Sequence, residues 1–229
     1  MRLGIGVPCH YTSPRIEPMF MTSLFTTMVQ LSQEGINCDL RVRPGGMLFE
    51  QRNDLVHSFC EAGTDMVLFI DTDMVIDAKL VKELIKLDKD IVGGICRLTG
   101  APYGFTVFEA SPEAGDGYYF LRMNEATMPK EPFCTGSDGN DIGIGTGVML
   151  VKIDVLKEMS KPENVKQYGL PFNHWQRLDG VQIGEDISFC TRAKKLGFKV
   201  WAHPGVNIGH IGKNLIWTYD KKEDDDEPS

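Results

Sequence analysis

The stretch MVLFIDTDMV, Met66 to Val75, runs an apolar segment straight into two aspartates one residue apart and then returns to Met-Val. The apolar run predicts a buried strand over Met66–Ile70. In an extended segment, side chains two residues apart share a side, so Asp71 and Asp73 can present both carboxylates to one point in space. Two close carboxylates repel unless a positive charge sits between them, and a hard divalent cation with oxygen ligands, Mg2+ or Mn2+, does this best. The competing reading makes them turn and N-cap aspartates before the next helix, since Asp is common in turns. Asp77 already stands where that cap is needed, and uncompensated charge against an apolar strand is costly, so the ligand-binding reading is preferred.

On the N-terminal side, Leu3–Pro8 reads as a first buried strand. PMFMTSLFTTMVQLSQEG follows as a helix with Pro18 in its first turn and Gly35 as its stop. Cys38–Val42 reads as a second strand closed by Pro44-Gly45-Gly46, and Leu48–Ala62 as a helix ending at Gly63. Beyond the aspartates, AKLVKELIKLD is an amphipathic helix capped by Asp77, and Ile91–Gly93 is another short strand. Strand and helix alternating through residue 95 predict a mostly parallel sheet flanked by helices, with ligands at the carboxyl ends of the strands.

After Gly100 the pattern becomes mixed. YGFTVFE and GYYFLRM read as paired antiparallel strands, and Met128–Gly147 is glycine-rich and irregular. A strand at Val148–Ile153, a short helix, a long loop through Trp175, a helix over Glu185–Leu196 and a strand at Lys199–Ala202 complete the chain. With no internal repeat or linker, the expectation is one α/β domain over 1–219, a ligand-binding half (1–95) joined to a mixed antiparallel half (96–219), and an acidic tail at 220–229.

Composition bounds the function. The 229 residues are 42% hydrophobic and 24% charged, with a formal net charge of −8. That charge argues against broad grip on a nucleic-acid backbone, although a local basic patch is compatible with it. The six cysteines are scattered without zinc-type spacing and read as reduced thiols in a cytosol-like compartment. No apolar run of about 18 residues and no signal-peptide layout is present, so a cytoplasmic protein without a membrane span is expected.

Two families share the Asp71-x-Asp73 pattern. Asp71-Thr72-Asp73-Met74-Val75 resembles the first motif of haloacid dehalogenase-like phosphotransferases, in which Asp71 would be the nucleophile. It also resembles the DXD motif of GT-A (Rossmann-like) glycosyltransferases. Two strand-helix units precede the motif and carry QRND, Gln51 to Asp54, which is similar to the Arg-Asn pair on the GT-A helix before the DXD strand. GIGTGVMLVKIDVL, Gly143 to Leu156, and GEDISFCTRAKKLGFKVWAHPGVNIGHIGK, Gly184 to Lys213, resemble the later GT-A segments in order, so this resemblance is preferred. Nucleotidyltransferases share the architecture, but no GGxGxRL-type loop stands near the N-terminus.

The resemblance implies a metal-dependent transferase that moves a sugar from a nucleotide-diphosphate sugar to an acceptor hydroxyl. Asp71, Asp73 and His210 would hold Mn2+ or Mg2+. Pro8, His10, Arg43, Arg52, Asn53, Thr72 and Lys213 would line the donor, with Lys213 facing the leaving diphosphate. Asp186 would be the general base if the anomeric centre is inverted, with Glu185 beside it as helix cap or catalytic partner. Gly145, Gly147, His174 and Trp175 are the expected acceptor contacts, with Trp175 equally readable as core. The acceptor is left open between a glycan and a modified DNA base, because the compact size resembles stand-alone bacterial, phage and viral members of both kinds. For a viral member the compartment would be the host cytoplasm.

Overall fold

The computed structural model describes residues 1–9, 16–98, 104–111, 119–122, 128–136, 139–176, 182–212 and 215–218, with backbone alone at 111, 119–122, 175–176 and 215–217. Its centre is a six-stranded sheet in the order β12 (Val200–His203), β5 (Ile91–Gly94), β9 (Val148–Lys152), β3 (Met66–Ile70), β1 (Arg2–Pro8) and β2 (Asn37–Arg43). Strand β1 (Arg2–Pro8) alternates large and small residues, and the alternation assigns its faces. Leu3, Ile5 and Val7 point to one side, where they pack with Phe20, Leu24 and Leu31 of α1 (Pro18–Gln33). Gly4 and Gly6 point to the other side, where α2 (Leu48–Ala62) lays Phe59 and Leu55 against the bare backbone.

The glycine at position 4 is a packing requirement. A Cβ there would stand 2.7 Å from two ring carbons of Phe59, which is itself fully buried. Gly4→Ala is therefore expected to cost about 1–3 kcal/mol through overpacking. Urea unfolding should show a lower midpoint with an unchanged slope.

The chain leaves β1 through α1, adds β2 (Asn37–Arg43) in parallel on one side, and returns through α2 to add β3 (Met66–Ile70) in parallel on the other. The reversal puts α1 and α2 on opposite faces and opens a crevice between the carboxyl ends of β1 and β3, where sheets of this kind bind ligands. The aspartate pair lies at that crevice, directly after β3. Immediately after Asp73, Met74–Val75 form a short strand, β4, which leads to α3 (Ala78–Lys86), capped by the Asp77 carboxylate accepting from the Leu80 amide at 2.7 Å.

β5 (Ile91–Gly94) completes the strand-helix alternation. β6 (Val107–Ser111) and β7 (Tyr119–Arg122) pair antiparallel as expected. The glycine-rich region expected to be irregular contributes β8 (Ile142–Ile144) to the same small sheet. β9 (Val148–Lys152) enters the central sheet between β3 and β5 and is antiparallel to both, so the sheet is mostly and not wholly parallel. The expected short helix is α4 (Ile153–Met159), and the long loop through Trp175 contains α5 (Pro162–Tyr168) and the first strand of a two-strand ladder, β10 (Trp175–Gln176) with β11 (Gln182–Ile183).

α6 (Glu185–Lys195) is buried from Ile187 to Ala193, and β12 (Val200–His203) adds in parallel to β5. β13 (Gly209–Ile211) and β14 (Leu215–Trp217) join β4 in a second small sheet. Thr218 stitches that sheet to the end of β5, its hydroxyl donating to the Ile95 carbonyl at 2.8 Å. This is a single Rossmann-like α/β domain. All six cysteines are free thiols, and burial pushes Cys96 and Cys190 up to about 12, which makes them packing groups. Among the described residues no helix is long and apolar enough to cross a membrane. The acidic tail lies outside the described residues.

Candidate functional site

The Asp71 amide donates to the Gly147 carbonyl at 3.1 Å, and the Met74 amide returns to the Asp71 carbonyl at 3.2 Å, so the two aspartates sit on a closed turn. β4 then pairs antiparallel with β13, with His210 opposite Met74, and the Ile211 amide donates to the Asp73 carbonyl at 2.7 Å. This ladder carries His210 Nε2 to 3.3 Å from Asp73 Oδ2. The other ring nitrogen, Nδ1, lies 2.8 Å from the Arg97 carbonyl, which can only accept, so Nδ1 carries the proton and Nε2 faces the carboxylate. Burial alone would lower the His210 pKa, but the hydrogen bonds to Asp73 and Arg97 outweigh it and hold it above its ordinary value. Asp73 is half exposed, yet its Oδ1 is turned inward without a hydrogen-bond partner.

Asp71 is held differently. Arg52, 1% exposed on α2, donates from Nη2 to Asp71 Oδ1 at 2.6 Å and from Nη1 to Glu185 Oε1 at 2.5 Å. The fork of a guanidinium can bridge two carboxylates from separate elements, which an ammonium holds less well. Desolvation opposes the charge, but the two carboxylates keep the Arg52 pKa above normal. Its ring neighbour is Phe172, which also stacks on Phe189 at 4.5 Å, so an aromatic floor lies beneath the ion pairs.

Asp186 follows Glu185 at the start of α6. Burial, reinforced by the Glu185 charge, raises its carboxyl pKa to about 6 despite the Ile187 amide donating to Oδ1 at 2.7 Å. Gly184 leaves room for it, since a Cβ there would meet that same oxygen at 2.9 Å. A buried carboxyl whose pKa lies just below neutrality is suited to accept a proton.

The structure gives the expected site residues the following surroundings. Arg52 and Asn53, expected at the donor, are turned to protein. Asn53 Oδ1 accepts from the Phe172 amide at 3.0 Å, and its Nδ2 donates to Asn173 Oδ1 at 3.1 Å. Gly145 and Gly147, expected at the acceptor, are buried: Gly145 abuts Thr106, and Gly147 abuts Met74 and Cys96. Their small size serves close packing behind the aspartate turn. Pro8 is buried at the end of β1, and Arg43 is exposed at the end of β2. Thr72 is half buried on the turn. His174 is exposed on the rim, edge-on to Phe49 at 5.1 Å, with Nδ1 3.2 Å from the Ile183 carbonyl. Trp175 is in β10, its side chain outside the described residues, where His10 and Lys213 also lie.

Arg192 has a part the sequence reading did not assign. It donates from Nε to the Tyr168 carbonyl at 2.5 Å and from Nη1 to the Pro171 and Asn173 carbonyls, so with Asn53 it holds the 168–174 loop from two sides. Burial lowers its pKa to about 10. An arginine inside the apolar run ISFCTRA is the available signal, because charge placed there needs partners.

Among the described residues, no three His, Cys, Asp or Glu side chains are arranged to hold a metal ion. The donors that fit a divalent cation are the unpartnered Asp73 Oδ1 and the carboxylate-facing His210 Nε2, with Asp71 tied to Arg52 beside them. A separate groove of about 490 Å³ lies between α1 and the β4–α3 connection, lined in part by Thr22, Thr26, Gln30, Ile76 and Asp77. The hydroxyls of Thr22, Ser23 and Thr27 there already donate to the Pro18, Phe20 and Ile76 carbonyls, so the groove offers few free donors.

No protein-family model matches the chain, and no curated protein matches it. Among solved structures, A197 from STIV is similar over 96% of this chain and 96% of its own, at 18% identity and a TM-score of 0.54. A putative glucose-1-phosphate thymidylyltransferase from Bacillus anthracis, solved with sucrose, aligns over 94% of this chain and 87% of its own, at 11% identity and a TM-score of 0.45. The first likeness extends to the fold.

Proposed function

We propose that the chain is a metal-dependent glycosyltransferase of the nucleotide-diphosphate-sugar type, with the GT-A arrangement of a cation site and a general base. The observation that carries this reading is convergence. Acids from the β3–β4 turn and the start of α6 share the Arg52 guanidinium, and His210 from β13 faces the second acid of the turn. These groups lie at the switch-point crevice.

Asp73 and His210 are the residues that would hold Mn2+ or Mg2+, with Asp71 next to them. When bound, the cation would supply positive charge for the departing diphosphate. Arg52 holds the Asp71 and Glu185 carboxylates in place from one guanidinium. Asp186 takes the proton from the acceptor hydroxyl as that oxygen attacks the sugar, in a reaction that inverts the anomeric centre. Pro8, Arg43 and Thr72 are assigned to the donor side, and His10 and Lys213, which lie outside the described residues, are assigned to the donor and its diphosphate by their place in the sequence. His174 and Trp175 stand for the acceptor side, which takes a glycan hydroxyl or a modified DNA base.

The test is a thermal-shift series with uridine, guanosine, cytidine and thymidine diphosphate sugars, each with and without Mn2+. At a ligand concentration about 100 times its Kd, binding adds about 2.7 kcal/mol, which for a chain of this size is a rise of roughly 5–10 °C. At least one compound is expected to produce it only with the metal. A flat series would end the proposal, and a phosphoaspartate formed at Asp71 from a phosphate ester would replace it with phosphotransfer.

A further inference from the structure

The outer edge of the central sheet is open: among the described residues no strand pairs with the far side of β2. The Asn37 amide donates to the Met1 carbonyl, and the Arg43 carbonyl accepts from the Cys9 amide, so the odd-numbered residues spend their backbone groups on the β1 side. The amides and carbonyls of Cys38, Leu40 and Val42 consequently point outward. An edge of this kind is a template for another strand unless it is protected, and the seven-residue β2 has neither proline nor bulge.

The same edge is apolar above the sheet. Leu40 and Val42 are paired in register with Ile5 and Val7 and so lie on the α1 face, 36% and 40% exposed. One flank of α1 lines the groove toward β4 and α3. The opposite flank, toward β2, carries Met21, Phe25 and Met28 at helical spacing, with Phe25 67% exposed. A grouping of large exposed apolar side chains beside an open strand marks an interaction surface.

Charge selects the occupant. On the opposite face, Asp39 and Arg41 alternate along β2 and already bridge at 3.0 Å. If β2 meets a reversed copy of itself centred on Leu40, Asp39 stands opposite the copy's Arg41, Cys38 opposite the copy's Val42, and Leu40 opposite Leu40. A slip by one pair in either direction puts Asp39 opposite Asp39 or Arg41 opposite Arg41. These are non-hydrogen-bonded positions, where facing side chains are closest and like charges most unfavourable. The outward backbone groups of Cys38, Leu40 and Val42 are those this register needs. We propose that the chain forms a two-fold dimer by antiparallel β2–β2 pairing centred on Leu40, with the Met21–Phe25–Met28 flanks of the two α1 helices packed across the axis.

Light scattering on the eluting full chain tests the state, and cross-linking tests the register. The unmodified chain is expected to elute as a dimer. Phe25→Glu with Leu40→Lys should raise the dissociation constant at least 100-fold without changing the far-ultraviolet circular dichroism. In a Cys38→Ser background, Leu40→Cys should give a disulfide-linked dimer under mild oxidation, because a hydrogen-bonded antiparallel pair holds Cα atoms about 5.5 Å apart, within disulfide range. Asp39→Arg should weaken the dimer, and adding Arg41→Asp should restore it. A monomer at all concentrations overturns the proposal, whether the edge is then covered by another segment or by a different protein. So does a dimer that survives the Phe25/Leu40 double change and forms no cross-link through position 40.

Discussion

Arg52→Met is expected to destabilise the protein by about 3 kcal/mol, because removing one partner from a buried ion pair leaves the other charge uncompensated. The cost falls mainly on Glu185, whose side chain is 16% exposed, since Asp71 at 30% can recover part of its hydration. For a chain of this size, that is a fall in Tm of roughly 6–12 °C. Adding Glu185→Gln should return part of the loss by removing the stranded charge. Arg52→Lys should recover little, because an ammonium cannot place two parallel donors toward two elements. Calorimetry on the four proteins checks this. If Arg52→Met melts with the unmodified chain, Arg52 is not the tie between α2, the aspartate turn and α6.

Asp186→Asn is expected to move stability and activity in opposite directions. The folded pKa of about 6 lies above the unfolded value near 3.9. The native state therefore favours the protonated acid, and that advantage is complete below about pH 4 and lost as pH rises through 6. Above pH 7 the ionised group costs up to about 3 kcal/mol, because each tenfold difference in proton affinity between the folded and unfolded chain is worth about 1.36 kcal/mol. An asparagine can still accept from the Ile187 amide but carries no charge to desolvate. The variant should therefore be more stable than the parent at pH 8 and equal to it near pH 4, read by urea titration at both. Under the proposed transferase function, turnover should fall about 10²–10⁴-fold, and the parent's turnover should rise through pH 6 as Asp186 deprotonates. Undiminished turnover would remove Asp186 from the reaction, and equal stabilities at pH 8 would mean that its charge carries no burial cost.

Gly184-Glu185-Asp186 shows how far the residues can be read alone. An acidic pair opening a helix after glycine is visible in the chain, and so is the favourable placement of charge at a helix N-terminus. That Glu185 is bound by Arg52, 133 residues earlier, is not visible, because the partner is chosen by how α2 and α6 pack. Arg52 and Asn53 look alike in sequence as polar residues on one helix. One becomes the tie between two acids and the other a strut for the Phe172 backbone and the Asn173 side chain, since each reaches a different neighbour. Gly145 and Gly147 look like a flexible loop, but neighbours that arrive from β4 and the Thr106 segment bury them.

By itself the sequence determined the local and periodic features. These are the limits of α2 and β3, the Asp77 cap, the large-small alternation of β1, the strand-helix order that makes the sheet mostly parallel, and the paired carboxylates after β3. Each depends on contacts within a turn or two of chain, or on a period of 2 or 3.6 residues. Tertiary structure decided the reversed direction of β9, the existence of the two-residue β4, and the meeting of Asp73 with His210 across 137 residues. A strand of two residues has no period to read, and its hydrogen bonds are made only when β13 arrives.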